Sequence, residues 1–316
     1  MRRFLACFPI ALAAACTPST IVLDGKGEGV DSGADPERND TGDTGADSGD
    51  TGEDSGGEET GDTDPQPACL DYGVVIETSA HLAYGGTVDG YDGSLGAWGS
   101  TSTEDGSLAV NAHSECALTN GATVRGSLYV GGDPSRAYCE EWGVSLTGGV
   151  HTLAAEVEMP DVSEPSGLPD EEGELNVAWD ETRELSGVHH FDDATLAYGG
   201  TLRITGPTVI VVDSFNVQGA TVTLDAGATL DVYSRGTVDF AWGTQFNTGG
   251  DAAAVRLLMG EEDSVTLAGG AWFTGQLLAP RSPMYVSGSL QGAAAADTLE
   301  LYWGGALHAD RALLCP

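Results

Sequence analysis

Lysine is almost missing from this 316-residue chain: Lys26 is the only one, and Lys and Arg together number 12 against 49 Asp and Glu, for a net charge of −37. A nucleic-acid binder needs a cationic face to displace counterions from phosphate, so that class is excluded. No apolar run approaches the roughly 20 residues that a membrane-spanning helix needs, so an ordinary one is excluded. No G-x-S-x-G elbow, P-loop, G-x-G-x-x-G before a helix or C-x-x-C pair occurs, so the common signatures of serine catalysis, nucleotide binding and zinc binding are missing. Aromatics make up only 7%. Glycine, by contrast, is abundant at 46 residues. Each would cost about 1 kcal/mol inside a helix, so a helix-rich fold is excluded as well. What is left is an acidic, glycine-rich β protein.

The segment from Met1 to Cys16 reads as an export signal. Arg2 and Arg3 precede a short apolar stretch from Phe4 to Ala15, too short to cross a bilayer. It ends in Leu12-Ala13-Ala14-Ala15-Cys16, which resembles a bacterial lipobox, with the favoured Leu one place early. The resemblance implies lipidation of the Cys16 thiol. The alternative is an ordinary signal peptide cut at an A-x-A site. Several acyl chains would anchor the protein stably, since each buried methylene contributes about 0.8 kcal/mol. Thr17 stands where Asp would signal inner-membrane retention in familiar Gram-negative systems, so the expected address is the outer membrane or cell surface.

Residues 17–68 are a different material. The stretch DTGDTGADSGDTGEDSGGEETGDTDP holds almost no apolar side chain able to offset the entropy of ordering, and 15 acidic residues from Asp24 to Asp64 face only Lys26 and Arg38. A disordered, self-repelling linker is expected. The D-T-G-D and D-S-G-D spacing matches neither an EF-hand loop nor a G-G-x-G-x-D nonapeptide, so weak calcium association is expected and not a dedicated site.

The body, 69–316, is built of short runs with period-two alternation closed by glycine or Asp. Examples are Val209-Ile210-Val211-Val212-Asp213, Phe215-Asn216-Val217-Gln218-Gly219 and Thr221-Val222-Thr223-Leu224-Asp225. Such spacing suits a parallel β-helix or a β-sandwich. The tight one- and two-residue turns favour the solenoid. So do the loose repeats Gly200-Thr201-Leu202-Arg203-Ile204, Ala228-Thr229-Leu230-Asp231-Val232 and Gly236-Thr237-Val238-Asp239-Phe240. An all-β fold with coils of about 20 residues is expected. Prolines 160, 165 and 169 mark residues 156–184 as a surface loop or interdomain linker.

The C-terminal third carries a likeness. Ala271-Trp272-Phe273-Thr274-Gly275-Gln276-Leu277-Leu278-Ala279-Pro280 is followed by Met284-Tyr285-Val286, Ser289-Leu290-Gln291-Gly292-Ala293 and Leu307-His308-Ala309-Asp310-Arg311-Ala312-Leu313. These segments resemble a bacterial surface domain of unknown function found behind PilX-type pilus-assembly N-termini. They also resemble choice-of-anchor and collagen-binding-like adhesin domains. The resemblance implies a right-handed β-helix. It brings no catalytic residues, and the pilin-like N-terminal helix is missing.

Cys7 lies in the signal and Cys16 is the lipidation candidate, leaving Cys69, Cys116, Cys139 and Cys315 for two disulfides. Three connectivities are open. The pairing 116–139 with 69–315 is the simplest, although a long β-helix would hold its two ends apart and forbid 69–315. His189-His190 with Asp192 and Asp193 is the most site-like cluster, but neighbours on a strand face opposite sides. A solvated strand end is the plainer account. Glu140-Glu141-Trp142 offers an aromatic and two carboxylates for a sugar edge, as a β-helix lyase or glycosidase would show. Eight arginines and no lysine in the body argue against a polyuronate lyase. The expectation is therefore a lipid-anchored structural or adhesive β-helix with no catalytic residues, metal or cofactor, and with an extracellular polysaccharide or protein as partner. A carbohydrate-active enzyme on the same fold is the alternative.

Overall fold

The computed structural model describes residues 70–99, 102–103, 106–112, 117–136 and 143–314. The segments expected to be an export signal and a linker, and all six cysteines, lie outside them.

Strands pair in parallel, rung upon rung, with one exception where Gly90 and Tyr91 meet Thr103 and Ser102 antiparallel. This is a parallel β-solenoid and not a sandwich. One outward column shows the stacking: His190, Val211, Tyr233, Leu258, Leu278, Ala295, Val75, Ala109, Tyr129 and His151 stand in register. The spacing of successive members up to Leu278 is close to the expected coil length. The alternating partners point inward. Ile210, Val232, Leu257, Leu277, Ala294, Val74, Leu108 and Leu128 form one wholly buried column of the core. Leu202, Val222, Phe246, Phe273, Leu290, Leu307, Val88 and Val124 form another. Val177, Leu196, Val217, Phe240, Leu267, Val286, Leu301 and Leu82 form a third. A single coil buries too little to be stable by itself; stacked columns make one continuous core.

The coils do not stack in chain order. Rungs from Leu175–Val177 onward climb to Ser289–Leu301, and the N-terminal strand Val74–Leu82 then pairs with that last long strand. The N-terminal coils continue upward through Leu108–Val110 and Ser127–Val130 to Gly149–Thr152. The two halves thereby cover each other's open strand edges, which would otherwise template aggregation. One expectation is corrected. The ends of the body are not held apart: Leu70 bridges Leu314 mid-rod, because the N-terminal coils are laid on the C-terminal ones.

Such an order demands a return path from the top rung to the bottom one, and residues 153–174 supply it. Nine steps of about 4.8 Å make a run of about 43 Å, within reach of an extended chain of this length. Strands at Leu175–Val177 and Thr182–His190 end this segment earlier than its acidity and prolines suggested. Between 153 and 174 the segment holds no strand. It is a strap laid along the outward column. Leu153, Val157, Met159 and Val162 pack over Tyr233, Leu258, Leu278, Ala295, Val75 and Ala109. Val157 exchanges two hydrogen bonds of 2.8 Å with the Asn111 side chain. Further down, Arg235 donates to both oxygens of Glu164, at 2.7 and 2.9 Å. Proline has no N–H to donate and suits a strap that stays extended and bonds the strands near its two ends, through the Leu153 and Glu172 amides.

The Arg235 hydrogen bond, followed by its charge, holds the Glu164 carboxyl below its ordinary value against an opposing desolvation effect. A lowered folded-state pKa contributes stability above the ordinary value of 4.5 that fades as pH falls. Both partners are 38% exposed, so screening limits the loss in Arg235→Ala to below about 1 kcal/mol. The visible effect should be local. Amide exchange and proteolysis between 160 and 170 should accelerate in Arg235→Ala, and in the parent protein at pH below the carboxylate range. Unchanged protection would show that the apolar contacts alone hold the strap.

Candidate functional site

The histidine cluster read from the sequence sits at the bottom end of the rod. Phe191 is 1% exposed and closes the core there, with the His189 ring parallel to it at 5.6 Å and the Arg183 guanidinium 5.8 Å above it. An end rung has no neighbour, so a polar-faced cap is required of it. His189 Nδ1 lies 2.9 Å from Glu172 Oε1, and His190 Nδ1 lies 3.3 Å from the carbonyl of Pro169. Asp192 meets Glu171, and the hydrogen bond between the two raises the Glu171 carboxyl above its usual range. Asp193 accepts from Ser214 on the next rung. The four residues are thus divided between cap and strap. Among the described residues no three His, Asp or Glu side chains are placed to share a metal. Glu140, Glu141 and Trp142 lie outside the described residues.

A second polar feature escaped the sequence reading. Asn247, Thr274, Gln291, His308 and Asp89 stand on five adjacent rungs in one buried column, opposite the core face. His308 Nδ1 lies 2.5 Å from Asp89 Oδ1, the two being 5% and 4% exposed, and the Trp98 ring covers the imidazole at 3.9 Å. Beside it lies a cavity of about 490 Å³ bounded by Tyr91, Asp310, Asp251 and Gly250. Burial, then the neighbouring Asp310 carboxylate, pushes the Tyr91 phenol far above its ordinary value. Each carboxylate here already has structural partners. Asp310 accepts from the Gly93 and Ala312 amides, and Asp251 from that of Ala253. They cap short turns, and neither is a free acid or base. The only sequence signal was the closing Leu307-His308-Ala309-Asp310 segment.

The third feature is an edge. At one corner, five of eight consecutive coils turn through Ala178-Trp179-Asp180, Ala197-Tyr198-Gly199-Gly200, Ala241-Trp242-Gly243, Tyr302-Trp303-Gly304-Gly305 and Ala83-Tyr84-Gly85-Gly86, the coils between them turning through glycine without an aromatic. The aromatic residue in each is exposed: Trp179 by 72%, Trp303 by 69%, Trp242 by 68%, Tyr198 by 60% and Tyr84 by 54%. The rings lean along the rod onto glycines. A Cβ at Gly199 would stand 3.0 Å from Trp179, one at Gly219 2.6 Å from Tyr198, and one at Gly270 2.8 Å from Trp242. These three glycines also have φ between 70° and 80°, so the corner demands glycine twice over. Trp303 and Tyr84, from opposite ends of the body, stack on adjacent rungs at 5.0 Å and 10°. Next to the corner runs a polar ladder that includes Thr182, Thr201, Thr221 and Gln245. The recurring Ala-aromatic-Gly pattern was the signal that would have found this edge.

Residues 161–314, just under half of the chain, match a family described as a domain of unknown function, DUF7305. The matched part runs from within the strap to the residue that bridges Leu70, and agrees with a β-helix domain of unknown function. No curated protein matches the chain. Among solved structures, the chain is similar to an ice-binding protein from the Antarctic ascomycete Antarctomyces psychrotrophicus. The identity is 13%, the alignment covers 77% of this chain and 97% of that one, and the TM-score is 0.32.

Proposed function

We propose that this protein is a surface-anchored structural or adhesive module that works by contact and not by catalysis. The observation that carries the reading is the set of five exposed aromatic rings that share one corner edge of the solenoid. Soluble proteins rarely leave large apolar groups aligned in solvent without a partner. The Asp310 and Asp251 carboxylates at the cavity beside Tyr91 are engaged in caps, and His308 and Asp89 in the buried column. Lipidation of Cys16 would fix the chain to the outer membrane, and residues 17–68 would hold the body away from it by charge repulsion. The Leu70–Leu314 bridge brings the neighbours of Cys69 and Cys315 to one place, which supports a disulfide between those two cysteines. Its removal should cost about 2–5 kcal/mol. Peptide mapping of the unreduced protein would show the cross-link, and two free thiols would refute it.

Two experiments test the reading. Cells carrying the full chain should adhere to extracellular matrix material, and cells lacking it should not; equal adhesion would end the adhesive reading. Incubation with a polysaccharide panel should liberate no reducing ends or unsaturated uronate. Reproducible liberation, abolished by one carboxylate substitution, would favour a carbohydrate-active enzyme instead. Separately, Cys16→Ser should remove palmitate labelling and membrane retention together.

A further inference from the structure

We infer that the aromatic corner edge is a binding track for a neutral, extended polysaccharide, with the stacked Trp303 and Tyr84 at its end farther from the His189 cap. The inference rests on the contact reading above and names the partner. Three independent observations point to it.

The first is backbone strain. Trp303 and Tyr84 hold φ of 56° and 51°, a left-handed conformation that bulky side chains avoid. On the rung beyond Tyr84 the same corner position is Asn120 at φ 46°, the residue type that tolerates this region. Two adjacent rungs thus keep unfavourable aromatics where Asn or Gly would suit the fold better. Strain retained at a surface where it contributes nothing to the core belongs with function.

The second is periodicity matched by chemistry. The rungs repeat at about 4.8 Å, close to the advance of one pyranose along an extended glycan. The corner rings occupy five of eight consecutive rungs, so their separations are whole multiples of that step, and a linear ligand of repeating rings can meet them in register. Pyranoses carry an apolar C–H face and a rim of hydroxyls. Trp and Tyr offer the complementary apolar surface at low entropic cost. The neighbouring ladder of Thr182, Thr201, Thr221 and Gln245 offers hydroxyl and amide groups that both donate and accept. A protein partner would be better served by a contiguous apolar patch with a closed rim than by rings spaced by glycine and threonine.

The third is charge. The body carries 34 acidic residues against eight arginines, and Asp180 and Glu181 stand on the edge itself beside Trp179. A polyuronate or sulfated glycan would be repelled. The occupant is accordingly uncharged.

The test uses the purified full chain and four insoluble neutral polymers, namely cellulose, chitin, starch granules and a β-1,3-glucan, with calcium alginate gel as the anionic control. Retention is expected on at least one neutral polymer and not on alginate. Trp303→Asn with Tyr84→Asn should weaken that retention at least tenfold while leaving the Tm equal or higher, because Asn relieves the strained φ. Trp242→Ala should weaken it less, and Leu95→Ala, an exposed apolar residue away from the edge, should not change it. No retention on any neutral polymer overturns the inference, as does retention that the double substitution leaves intact. Matrix adhesion that persists without any neutral-glycan binding overturns this inference alone and leaves the contact reading standing.

Discussion

Phe246→Ala is expected to lower the unfolding free energy by about 4 kcal/mol, near the upper range for a buried aromatic truncated to alanine. The Phe246 ring is fully buried and meets Phe240 at 5.5 Å and 85°, Phe273 at 5.1 Å and 35°, and Phe215 at 6.2 Å and 74°. Three neighbours on three core columns therefore lose contact at once, and the parallel ladder prevents the rungs from closing the void. The loss has a second consequence, because a solenoid is coupled chiefly between adjacent coils. Weakening the interface between the rungs of Phe246 and Phe273 should split one transition into two. Urea denaturation followed by tryptophan fluorescence and by amide exchange would reveal it. A single transition shifted by less than about 1 kcal/mol would mean that the phenylalanines are not close-packed.

His308→Leu is expected to cost about 3–5 kcal/mol, because it strips the imidazole from a buried Asp89 carboxylate. Asp89 sits 4% exposed beneath the excursion that carries Trp98. Without His308 its charge has lost the partner 2.5 Å away. Replacing both residues, His308→Leu with Asp89→Leu, should cost less than His308→Leu alone. That inversion is the informative outcome, since apolar replacement of a buried pair is often close to neutral while breaking one is not. A double variant less stable than either single one would show that the column is valued for its hydrogen bonds along the rungs and not for this pair. Neither substitution touches the aromatic corner edge, so glycan retention should survive in any variant that still folds.

Much of the local structure was legible in the sequence. Thr221-Val222-Thr223-Leu224 and Phe215-Asn216-Val217 announced their strands because period-two alternation is a local property, and the glycine-closed turns announced corners. The candidate site was harder to see. His189-His190 drew attention because the two residues are contiguous, yet they cap one end and clasp the strap. The aromatic edge was present as a loose Ala-aromatic-Gly repeat, with its members unevenly spaced among irregular coils.

Composition and alternation by themselves determined an acidic, all-β chain of glycine-cornered coils preceded by a polyanionic segment. These follow from what each residue and its near neighbours can bury, charge or bend. Stacking order was decided only in three dimensions. Register places Val74 beside Ala294 and His308 beside Asp89, and brings Trp303 against Tyr84, although the members of each pair come from opposite ends of the body. Parallel strands carry no local mark of their partner. Which edge they meet depends on closing every open ladder at once, and that condition belongs to the whole rod.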